Sequence, residues 1–210
     1  MHYDLAHWAT FLATAVFLNL APGPDMAFIL GHTVKGGARA GTAAMLGIWT
    51  GALGHVVLAV SGLSAIIATS ALAFSVVKWI GVAYLLWIGI QAIRHAGGTF
   101  INEAAPVGSS FGRIYWQGVL VDLLNPKVAI FFLAFLPQFV VPGAGPVWAQ
   151  LLLHGVLIIV VAAVIEPPLV LLGSTLTTPL RSSPGLAKAL DRTLGALLIA
   201  LAARLALSKI

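Results

Sequence analysis

The sequence predicts an all-α protein that crosses a membrane several times, and three observations carry that prediction. The 210 residues are 60% hydrophobic and only 8% charged, where a soluble domain carries about 25% charged residues. Mean hydropathy is +1.04, so polar surface is too scarce to coat a water-soluble globule. Apolar stretches of about 20 residues, the length that crosses a hydrocarbon core of roughly 30 Å, recur along the chain.

Hydropathy divides the chain into six expected spans: Trp8–Leu30, Gly41–Ala68, Ala71–Ile93, Ile114–Val141, Val147–Leu172 and about Leu190–Leu207. The second and fifth are long enough to tilt or bend. The opening residues lack the basic region and cleavage site of a signal peptide, so they are read as a retained first span. Positive charge gathers in short loops on the cytoplasmic side. Lys35 and Arg39 follow span 1, Arg94 and Arg113 bracket the connection after span 3, and Arg181, Lys188 and Arg192 lie between spans 5 and 6. That bias puts both termini outside the cytoplasm, which is the periplasm if the membrane is a bacterial inner one. The polar run "RHAGGTFINEAAPVGSSFGR" reads as a cytoplasmic linker, residues 94–113, within a single membrane domain, 1–210. It separates a first three-helix repeat, 1–93, from a second, 114–210, and three spans per half make such repeats inverted.

Span 1 contains "APGPDMAFIL" and span 4 contains "LNPKVAIFFL", so each half places proline and a charge inside its first helix. Proline inside a helix costs about 3 kcal/mol or more, and lipid cannot satisfy the carbonyls it frees. Broken backbone at membrane depth is tolerated where it is buried in protein or lines a cavity, which is how many transporters build midplane sites. The breaks at Pro22, Gly23 and Pro24 and at Asn125 and Pro126 are therefore the leading site candidates. The half-helix starts beyond them, Asp25 to Ala27 and Lys127 to Ala129, would present N–H groups and a positive dipole end to a carboxylate. The two breaks are expected to face one another across a cavity between the halves.

Asp25, Asp122, Lys127 and Glu166 all fall within predicted spans, where an ionised group costs about 2.5–3.5 kcal/mol and so avoids lipid. An Asp25–Lys127 pair clamping the halves is one expectation, compatible with a transport role. At the helical rise per residue the three acids fall in the cytoplasmic half. Asp25, Asp122 and Glu166 are thus candidates for proton coupling; the alternative for Glu166 is to snorkel at the inner interface. Pro167 and Pro168 after it suggest a third irregular segment. Asn125 is favoured as a substrate contact, with Asn19 and Gln138 bridging helices. His55 reads as a packing residue, and Gly47, Gly51 and Gly54 as sites of close helix approach. Trp8, Trp116 and Trp148 read as interfacial anchors, and Tyr84 and Trp87 as packing residues.

"LAPGPDM", "GIWTGALGHVVLAVSGLSAII", "VVKWIGVAYLLWIGIQAIR" and "LLNPKVAIFFLAFLPQF" together resemble the LysE/RhtB family of bacterial amino-acid exporters over the first two thirds of the chain. The PGP element and LNPK followed by PQF are the most specific parts. The resemblance implies export of small amino acids or their derivatives, driven by the proton gradient, with the motif residues at Pro22, Gly23, Pro24, Asn125, Pro126 and Lys127. Neutral aliphatic or hydroxy amino acids fit this reading better than Lys or Arg, while spare acids such as Glu166 keep cationic substrates open.

Other classes fare worse. A pI near 10.0 rests on eleven scattered Lys and Arg without the basic stripe of a nucleic-acid binder. The chain has no cysteine, which removes thiolate metal sites, and its six His lack ligand spacing. No nucleophile, base and orienter set points to an enzyme, and no cofactor is implied. An ion or metal transporter of related architecture and a membrane scaffold are the alternatives, and a homodimer is the expected assembly.

Overall fold

Long Ala- and Leu-rich runs favour helix, and the computed structural model, which describes residues 3–20, 23–63, 71–94, 110–173 and 184–207, has helical elements alone among them. In order these are α1 (Leu5–Leu20), α2 (Pro24–Leu58) prolonged by a π turn (Ala59–Leu63), α3 (Ala71–Arg94) and α4 (Phe111–Leu123). There follow α5 (Pro126–Ile130) with a π turn (Phe131–Phe135) and a 3-10 turn (Leu136–Phe139), then α6 (Val147–Leu171) and α7 (Pro184–Leu207). The stretch Pro24–Gly62 and α6 are each long and apolar enough to cross a membrane. The pair Phe111–Leu123 and Lys127–Phe139, bent by 50°, passes as a third crossing.

Three expected boundaries move. No loop separates spans 1 and 2, because helix continues on both sides of Gly37, whose φ of 71° and ψ of −174° leave the helical region. That φ is left-handed and suits glycine, which has no Cβ to clash. The chain doubles back there: Thr33 touches Gly41, and Asp25 lines the same cavity as Ile48 and Trp49. The last helix begins at Pro184 rather than near Leu190. Its first turns are amphipathic, with Lys188 and Arg192 exposed, a pattern that hydropathy averaging misses, and proline is preorganised for a first helical position. At the other end, Asp4 Oδ1 accepts the His7 N–H at 2.7 Å and starts α1 earlier than hydropathy suggests.

The third irregular segment is absent. Pro167 and Pro168 lie inside α6, and the Pro168 carbonyl accepts the Leu172 N–H at 2.9 Å. Proline's fixed φ is close to the helical value, so two prolines near a helix end remove donors without ending the helix.

Small residues set the helix contacts. The α2 segment after Gly37 lies parallel to α4, with Gly47 against Tyr115 and Gly118, Gly51 against Asp122, and Gly54 against Leu123. That agrees with the close approach expected at these glycines. On the opposite flank α1 runs parallel to α6, with Asn19 Nδ2 donating to the Ile158 carbonyl at 3.3 Å as the bridge expected of it. Gly89 and Gly195 meet where α3 packs on α7. Trp116 and Trp148 are exposed near helix starts, whereas Trp8 stacks on His154 at 5.5 Å. Trp87 is 56% exposed; the Tyr84 side chain and the linker 95–109 lie outside the described residues.

Candidate functional site

The two proline motifs build the same local structure. Gly23 is extended, with Pro24 opening α2 and Asp25 in its first turn. Asn125 is likewise extended, with Pro126 opening α5 and Lys127 in its first turn. Proline loses nothing at the first helical position, where its absent N–H would be an orphan anyway. The Asn125 side chain accepts the Lys127 N–H at 3.0 Å, the Asn125 carbonyl accepts that of Ala129 at 3.0 Å, and the Gly23 carbonyl accepts that of Ala27 at 2.9 Å. These three amides are therefore not the open carboxylate donors expected at the half-helix starts, since the motifs cap themselves. Pro22 lies outside the described residues.

The breaks do meet. Lys127 Nζ donates to both oxygens of Asp25 at 3.2 Å, and Asn125 Nδ2 reaches Asp25 Oδ1 at 3.5 Å. A Cβ placed on Gly23 would lie 2.5 Å from Asp25 Oδ1 and 2.8 Å from Lys127 Nζ, so the glycine leaves room for the ion pair. Lys127 is 4% exposed and Asn125 2% exposed. A buried charge of this kind is tolerated only when paired.

Beside this pair lies a cavity of about 30 Å³, walled by apolar side chains including Ile48, Phe132 and Ile158. Its polar lining is Asn19, Asp25, Trp49, Asp122 and Glu166, so all three carboxylates picked from the sequence converge there. Glu166 is buried and accepts the Trp49 indole N–H at 2.7 Å, which rules out snorkelling at an interface. Asp122 is 1% exposed. His55 is more than packing: its Nε2–H donates to the Asp122 carbonyl at 3.1 Å, and its ring stacks on Phe132 at 5.8 Å. It thereby adds a bond from α2 to a carbonyl in the last turn of α4 that also accepts the Asn125 N–H at 2.9 Å.

Trp49 was not legible as a site residue, although its place in mid-span, away from the interfaces where Trp usually sits, signals a need for a buried partner. A second constellation also went unforeseen. His7 and His154 approach Nε2 to Nε2 at 2.8 Å, with Tyr3 donating to Gln150 at 3.1 Å beside them. It ties α1 to α6 at the end away from Gly37.

In chemical terms three carboxylates line the cavity among apolar side chains, with one ammonium, that of Lys127, paired to Asp25 beside it. Neutrality there requires positive charge delivered from outside, as protons or as a cationic group of a ligand.

A family model described as LysE type translocator matches residues 16–209. The homoserine/homoserine lactone efflux protein of Salmonella typhimurium is 35% identical over 199 residues, 95% of each chain. That of Salmonella typhi is 34% identical over the same length and coverage. An uncharacterized membrane protein of Vibrio cholerae is 32% identical over 206 residues, 98% of this chain and 99% of the other. No solved structure matches.

Proposed function

The chain belongs to the LysE type translocator family, transporters and not enzymes, and from that premise we propose that it exports small amino acids or their derivatives from the cytoplasm by proton antiport. The carrying observation is the convergence of both helix breaks and three carboxylates on one cavity. The relatives named for homoserine and its lactone suggest a small substrate with a hydroxyl or lactone side chain, which the apolar walls and narrow volume favour. At about 30 Å³ the cavity is far below the roughly 300–1,000 Å³ of ligand pockets, so on this reading it must widen to load.

An inverted repeat supplies the frame for motion. The parallel pair α2–α4 has its counterpart in the parallel pair α6–α1, and α3 packs on α7 as it would across a pseudo-two-fold axis. Such repeats let one half rock against the other around a fixed site. The same packing gathers Gly37, Arg39 and the start of α4 at one end, which the charge bias assigns to the cytoplasm. A reporter fused after Ile210 is expected to be active only in the periplasm of the inner membrane; cytoplasmic activity would overturn six spans and the repeat together.

Transport is tested in inverted membrane vesicles, whose cytoplasmic face points outward. An acid interior should drive uptake of labelled homoserine, and a protonophore should abolish the accumulation. Accumulation that survives the protonophore would remove proton antiport. Absence of uptake for homoserine and a panel of small amino acids would remove amino-acid export.

A further inference from the structure

Of the three acids, two already have partners. Asp25 spans Lys127 Nζ with both oxygens at 3.2 Å, and Glu166 Oε2 accepts the Trp49 indole at 2.7 Å. Asp122 differs. Its Oδ2 is buried without a hydrogen-bond partner among the described residues, while the residue lines the cavity. His55 Nε2 stands 4.0 Å from that oxygen but is committed elsewhere, because a carbonyl can only accept and the 3.1 Å contact to the Asp122 backbone oxygen takes the Nε2–H. A buried acceptor left unpaired costs about 1–3 kcal/mol, more when charged, so a buried orphan on a residue that lines a cavity is an acceptor awaiting a donor.

We propose that Asp122 is the specificity-determining residue that receives the substrate's ammonium group, while Asp25 and Glu166 serve the ion pair and the Trp49 contact. This rests on the export reading above and adds a division of labour among the carboxylates. Three features around Asp122 fit the role. Gly51 leaves its carboxylate in place, since a Cβ there would lie 2.6 Å from Asp122 Cβ and 2.9 Å from Oδ2. His55 holds the backbone of the same residue from α2. The Asp122 carbonyl also accepts the Asn125 N–H at 2.9 Å, so the ammonium receptor is joined through one peptide group to the break that carries Lys127. With Lys127 engaged by Asp25, recognition begins at the amine end of the substrate. Compounds that keep the aminium and lose the carboxylate should still bind, and compounds with an acylated amine should not.

The test measures binding by calorimetry on detergent-solubilised full-length protein and transport in the inverted vesicles, with three probes: homoserine, homoserine lactone and N-acetylhomoserine. Wild type is expected to bind the first two and not the third. Asp122→Asn should weaken both by about tenfold or more, the worth of a charge-assisted hydrogen bond. Gly51→Ala, which keeps the carboxylate but presses a methyl group against it, is the second arm should Asp122→Asn not fold, and should weaken binding by at least about threefold. Unchanged affinity in whichever of these variants folds, or tight binding of N-acetylhomoserine by wild type, overturns the assignment. Asp122-dependent binding of the aminium probes without any transport would instead overturn the export reading and leave the assignment standing.

Discussion

Lys127→Met is expected to destabilise the protein by about 3–5 kcal/mol, the usual cost of breaking a buried ion pair from one side. Lys127 is 4% exposed and both Asp25 oxygens lie 3.2 Å from its ammonium. The loss arises less from the missing attraction than from the carboxylate left without its partner in an apolar surround. Asp25→Asn should cost a similar amount for the mirrored reason, an ammonium buried alone. The double variant removes both charges and should recover most of the stability, because a neutral pair carries no desolvation penalty. Thermal unfolding in detergent reads this as a fall of order 10 °C in each single variant, and the double-mutant cycle isolates the coupling. Additive effects, or singles that cost under about 1 kcal/mol, would show that Asp25 and Lys127 do not clamp the breaks together. The functional consequence differs from the stability consequence. The double variant should fold yet fail to export, since rocking of the halves would lose the electrostatic contact between their breaks.

How far the sequence reaches is clearest at these same residues. Proline, a charge and an apolar run in both halves were enough to locate the breaks, and the penalty for unpaired charge in lipid was enough to pair Asp25 with Lys127. Local rules failed where one residue answers to a distant one. The Lys127 amide looked free for a substrate until Asn125 was seen to fold its own side chain onto it. Glu166 looked able to reach the interface because its depth along α6 was known and its neighbour on α2, Trp49, was not. Pro167 and Pro168 looked like a break because proline's rule is statistical, and near a helix end its cost is small. The turn at Gly37 was legible only as a loop, since "KGGARAG" signals polarity and glycine without saying that a single left-handed residue suffices to reverse the chain. The approach of His7 to His154 joins residues 147 positions apart, and no spacing rule connects them.

Gly118→Ala is the other substitution with a large expected effect, and its reason is backbone proximity rather than charge. A Cβ on Gly118 would lie 2.8 Å from the Ala44 carbonyl oxygen and 3.2 Å from Gly47 Cα. Neither neighbour is the far end of a flexible side chain, so α2 and α4 must separate. In a tightly packed interior that costs about 1–3 kcal/mol, against the roughly 1 kcal/mol that Ala ordinarily gains over Gly in a helix. Gly47→Ala should behave alike, because its Cβ would meet the Tyr115 carbonyl from the other side. Gly112→Ala is the control: it sits in the same helix with nothing within 4 Å of the added methyl, and should be neutral or mildly stabilising. The damage should exceed the stability loss, because Asp122 rides on α4 one turn beyond Gly118 and faces Gly51 on α2. Displacing α4 by a fraction of an ångström moves that carboxylate relative to Trp49 and Glu166, and misplaced site groups cost about tenfold or more in rate. The expected pattern is thus a Tm lowered by several degrees with export reduced about tenfold at Gly47 and Gly118, and wild-type values at Gly112. Wild-type stability in Gly118→Ala would mean that α2 and α4 are not in backbone contact, and the cavity geometry resting on that contact would fall with it.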